Sequence, residues 1–98
     1  MAKFVKRPYK DFIHHQGAYV PGKPLEFFKV EKAKTVSLHC EDQLNHSVLV
    51  KDISRKADGS FTGIVWGFEP PAMKIEDLKI DDSVKFTEEE VFSAIKGD

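Results

Sequence analysis

Between Thr35 and Glu41 apolar and polar residues alternate without a break: Val36, Leu38 and Cys40 on one side, Ser37, His39 and Glu41 on the other. A period of two with one greasy face predicts a half-buried antiparallel strand. A third strand is expected over residues 46–54, centred on Val48-Leu49-Val50, and a fourth over residues 61–68. In the fourth, Phe61, Gly63, Val65 and Gly67 oppose Thr62, Ile64, Trp66 and Phe68, and Glu69-Pro70-Pro71 ends the run because proline cannot continue a ladder. Asp58-Gly59 between these two runs supplies the backbone freedom of a tight hairpin turn. Residues 25–33 read as the first strand, with a slip of period at the adjacent Phe27 and Phe28 that predicts a bulge or burial on both faces. Residues 83–86 form a short fifth strand, and Ile75, Leu78 and Ile80 in the preceding loop read as core plugs.

The ends of the chain read as helical. Tyr9, Phe12 and Ile13 have the spacing of one or two helical turns, ahead of a loop crowded with Gly17, Pro21, Gly22 and Pro24. At the other end Thr87 fits an N-cap, Glu90 completes a capping box, Phe86 and Val91 make a hydrophobic staple, and Gly97 is a stop. Three glutamates in the first turn suit the helix dipole, so a C-terminal α-helix is expected to begin at Glu88.

Composition sharpens this picture in a few places. The 98 residues make a single domain, with residues 1–8 as a basic arm. An apolar fraction of 41% excludes a disordered chain. A single cysteine, Cys40, excludes an intrachain disulfide, and no apolar run approaches a membrane span, so a cytoplasmic location is expected. Net charge is −1, but residues 1–35 hold eight Lys/Arg against three Asp/Glu, and residues 36–98 hold seven against thirteen.

The segments Val48-Leu49-Val50, Gly59-Ser60-Phe61-Thr62-Gly63 and Leu78 through Asp81-Asp82-Ser83-Val84-Lys85-Phe86 resemble small bacterial SH3-like barrel domains of unknown function. The resemblance covers about residues 46–92 and departs from the family pattern at Asp81, where that pattern prefers glycine. It implies a mainly β fold: a small five-stranded antiparallel SH3-like barrel or curled sheet, with the C-terminal helix packed on one end. It carries no catalytic residue. Asp52-Ile53-Ser54 is similar to part of a cyclic-dinucleotide-binding motif, but the arginine pair and following glycine of that motif are missing.

Candidate chemistry is sparse. His14 and His15 are adjacent, as are His39 and Cys40, so their side chains diverge and no metal site is expected. Cys40 shares a face with Val36 and Leu38 and reads as a small core hydrophobe, not a nucleophile. No phosphate loop or nucleophile elbow is present, and no enzyme activity or cofactor is expected. The reading favoured instead is a non-enzymatic interaction or ligand-binding domain. Tyr19, Phe27, Trp66 and Phe68 are its candidate contacts. Six aromatics fall within the first 28 residues, more than a small core holds beside the later ones, so the surplus lines a pocket or stays on the surface. A homodimer is expected through a sheet edge or this aromatic patch, with the basic half of one copy set against the acidic half of the other. The alternative is a nucleic-acid-binding barrel that uses Lys3, Lys6, Arg7 and Lys10 beside nearby aromatics.

Overall fold

The computed structural model describes residues 4–15, 27–41, 43–69 and 78–96. They form six strands: β1 (Ile13–His15), β2 (Ala33–Cys40), β3 (Gln43–Arg55), β4 (Phe61–Glu69), β5 (Ser83–Phe86) and β6 (Ser93–Lys96). All six belong to one open sheet in the order β1-β6-β2-β3-β4-β5. β1 and β6 run parallel, and every other neighbouring pair is antiparallel. No helix among the described residues is long and apolar enough to cross a membrane.

The alternation in β2 is realised in the fold, with Val36, Leu38 and Cys40 buried. They join Val48 and Val50 of β3, Phe61 and Val65 of β4, Val84 and Phe86 of β5 and Ala94 of β6 in one core. Phe61 and Phe86 pair in register, and their rings stack with centroids 5.8 Å apart. Phe12, Val30, Leu78 and Val91, from outside the strands, complete the cluster.

The β3–β4 hairpin turns at Asp58-Gly59 as expected, with Arg55 opposite Phe61 and Gly59 at φ +87°. Asp58 holds the turn closed: its carboxylate accepts from the Ser60 amide at 3.0 Å and from Lys85 Nζ at 3.1 Å. The pairing slips between Lys51 and Ser54, where Asp52 takes a positive φ of 54°. This bulge presses onto Gly63, where an added Cβ would collide with the Val50 side chain and lie 2.9 Å from the Lys51 carbonyl oxygen. A second slip between Leu49 and Val50 sends Trp66 to the surface.

Several expectations are corrected. The sheet is open and has six strands, so the five-stranded barrel is not formed. The C-terminal α-helix is not formed either: Glu88–Glu90 is one 3-10 turn, and the chain then extends into β6. The Thr87–Glu90 pairing is present, with the Thr87 amide donating to Glu90 Oε1 at 2.8 Å, yet it caps only that turn. The reason is long-range. β2 needs a partner on its free side, and β6 pairs there from Ala33 to Ser37, which outweighs local helical preference.

Residues 27–29 are not strand, and Val30–Lys32 is a 3-10 turn, so of the described residues of the expected first strand only Ala33 is strand, as the start of β2. Residues 13–15 are strand and not helix, because they pair with β6. Leu78 is buried as a core plug, Ile80 is exposed, and Ile75 lies outside the described residues.

Candidate functional site

The described part of the N-terminal arm is tied down along its length. Phe4 bridges to Cys40, the Val5 amide donates to the His39 carbonyl at 2.9 Å, and the Arg7 amide donates to the Glu89 carbonyl at 2.8 Å. The Arg7 side chain is only 4% exposed and sits against the 3-10 turn. Its guanidinium donates to both Glu88 carboxylate oxygens, at 2.9 and 3.0 Å, and to the backbone carbonyls of Glu88, Val91 and Lys10. One face of the Phe12 ring lies within reach of the same cation, 5.8 Å from the guanidinium carbon.

This anchoring delivers Phe12 and His14, two residues apart, to the same side of the arm. Phe12 is buried, and the His14 ring lies 4.1 Å from it, centroid to centroid. Two further rings meet His14 edge to face: Phe27 at 4.7 Å and Phe28 at 4.9 Å. The Phe28 amide donates to His14 Nδ1 at 3.3 Å, which leaves the proton of the neutral ring on Nε2. Burial pushes the His14 imidazole below its ordinary value, against the opposing pull of the Asp11 and Glu88 carboxylates.

These rings surround a cleft of about 560 Å³, lined by Phe12, His14, Phe27, Phe28, Val30 and Phe61, with Asp11, Lys29 and Glu88 as its charged members. That size suits a small molecule or one large side chain. Phe27 is 81% exposed at its edge, where the adjacent Phe28 is half-buried. The slip of period at these two phenylalanines therefore marks one ring turned outward and one inward.

The residues singled out from the sequence are scattered. Phe27 belongs to the cleft. Trp66, 44% exposed, and Phe68, half-buried against the core, lie on β4 and do not line it. Tyr19 and Lys3 lie outside the described residues. Of the basic arm, Arg7 is spent on Glu88, Lys6 pairs with Glu89 at 3.2 Å, and Lys10 is exposed.

Phe12, His14, Phe28 and Phe61 are not legible from the sequence as site residues, because four separate chain segments contribute to the cleft. Compared with protein-family models, with curated proteins and with solved structures, the chain matches none.

Proposed function

We propose that the chain is a non-enzymatic, cytoplasmic binding domain whose ligand site is the aromatic cleft lined by residues 11–14, residues 27–30, Phe61 and Glu88. The observation that carries this reading is Phe27. A phenylalanine 81% exposed is held at the mouth of a formed cleft, its ring set at 84° against His14. Apolar surface presented in a concave, part-polar site is what ligand recognition uses.

Proton transfer through His14 or Glu88 has less support. The Nδ1 lone pair of His14 is occupied by the Phe28 amide, and both Glu88 oxygens are engaged by Arg7. A general base needs a free lone pair within reach of its substrate.

The test is a screen of small organic compounds read through the amide resonances of the whole chain. Shifts should cluster at Asp11, His14, Phe28, Lys29 and Glu88, and Phe27→Ala should weaken them. Shifts centred on Trp66 and Phe68 instead would move the site to β4.

Self-association is a second reading, favoured by the open sheet. Among the described residues no strand lies beyond β1 on one side or β5 on the other, and unpaired edges are templates for a second copy.

A further inference from the structure

We infer that the cleft takes a methylated ammonium group, an inference that rests on reading the cleft as a ligand site. Its walls are aromatic: Phe12, His14, Phe27, Phe28 and Phe61. The faces of such rings carry negative potential and attract a cation. The cation contact of Phe12 is taken by Arg7, so the rings open to a guest are those of His14, Phe27 and Phe28.

Charge at the mouth points the same way. Asp11 and Glu88 both line the cleft, and their fields reach the His14 ring. Asp11 has no ion-pair partner among the described residues. Burial pushes the His14 imidazole towards its neutral form, which disfavours a positive charge in the lining. Lys29 and Arg7 are the opposing charges. Lys29 is exposed, and its long stem lets the ammonium turn to water; Arg7 is committed to Glu88, which leaves Asp11 as the carboxylate open to a guest.

The aromatic lining also selects the kind of cation. A primary ammonium brings three N–H donors that must each find an acceptor or remain in water. Rings supply almost none. A trimethylammonium spreads its charge over methyl groups, needs no acceptor, and fits an apolar wall with the Asp11 carboxylate beside it.

The group could arrive on a small molecule or on a methylated lysine side chain, and the experiment separates the two. The whole chain is titrated with choline, with the uncharged isostere in which tert-butyl replaces trimethylammonium, and with a short peptide carrying trimethyl-lysine. Choline or the peptide should bind about tenfold tighter than the isostere. Asp11→Asn should weaken the cation several-fold and leave the isostere unchanged. Phe27→Trp should retain or strengthen cation binding where Phe27→Ala abolishes it; both substitutions fall at an exposed ring, so folding is preserved.

Tighter binding of choline than of the peptide assigns a small-molecule source, and the reverse assigns a protein side chain. Equal binding of cation and isostere overturns the inference and leaves the cleft reading standing. Failure of every compound to shift the cleft amides overturns both.

Discussion

Arg7 and Glu88, 81 positions apart, close a fork in which one guanidinium nitrogen, Nη2, lies 2.9 and 3.0 Å from the two carboxylate oxygens. The pair fastens the first described segment of the chain to the turn that precedes the last strand, and it sets one wall of the cleft. Because the Arg7 side chain is buried, its removal takes a donor from the part-buried Glu88 and Val91 carbonyls and leaves a half-exposed carboxylate without its cation. Arg7→Ala should therefore cost about 2 kcal/mol of stability in a denaturant titration. Arg7→Lys should recover only part of it, since a point charge cannot bridge two oxygens and three carbonyls. A cost within about 0.5 kcal/mol for Arg7→Ala would show the fork to be ornamental.

His14 makes stability depend on pH. Burial lowers its folded-state pKa below the ordinary value, more than Asp11 and Glu88 raise it. Between the two values the unfolded chain binds more protons than the folded one, so stability rises with pH across that window. The contribution is present above the unfolded value of about 6.5 and lost as pH falls through the folded value. Protonation also turns Nδ1 into a donor and breaks its bond from the Phe28 amide. The stability difference between the protein and its His14→Gln variant should be larger at about pH 7.5 than at about pH 5. Parallel pH curves for the two would sink the assignment. Cation binding should fade over the same window, as the charge on His14 joins Lys29 and Arg7 against Asp11 and Glu88.

Three backbone positions test the sheet itself. Gly63→Ala meets the Val50 side chain and the Lys51 carbonyl beneath the β3 bulge, and should cost about 2 kcal/mol. Gly59→Ala has open space around it but a φ of +87°, so the cost is conformational, about 1 kcal/mol. Asp81 sits at φ +76° in the turn before β5, and Asp81→Gly should gain about 0.5 kcal/mol. Thermal melts of the three variants would rank them. An unperturbed Gly63→Ala would contradict the close approach of the bulge.

The legible parts of this fold are those where one face of a strand is buried over several residues. Val36, Leu38 and Cys40 declare β2, and Asp58-Gly59 declares the β3–β4 hairpin, because period and turn chemistry are local. The C-terminus misleads because the signals at Thr87 and Glu90 are the same for one 3-10 turn as for the first turn of an α-helix. The path of the chain after Val91 is decided by β2, more than fifty residues earlier, and no local pattern reports it. The cleft is harder still to read. It gathers residues from positions 11–14, the 27–30 segment, β4 and the 88–90 turn. Its traces in the sequence are the surplus of early aromatics and the slip at Phe27 and Phe28.

The open sheet makes a last prediction about oligomeric state. β1 has three residues and, among the described residues, one strand neighbour, β6, and its Ile13 is 51% exposed. A short edge with an outward isoleucine lacks the charge that proteins place on edges to block pairing. Two copies related by a two-fold axis can join β1 to β1, each satisfying the other's free peptide groups, and the arrangement closes at a dimer. Sedimentation over a concentration series reaching about 100 μM should show the mass rising towards that of two chains. Ile13→Lys puts a charge on the edge without touching the core, and should hold the chain at the monomer mass under the same conditions. A dimer that survives Ile13→Lys would place the contact elsewhere, with β5 the next edge to test. A monomer at every concentration would exclude self-association through either edge.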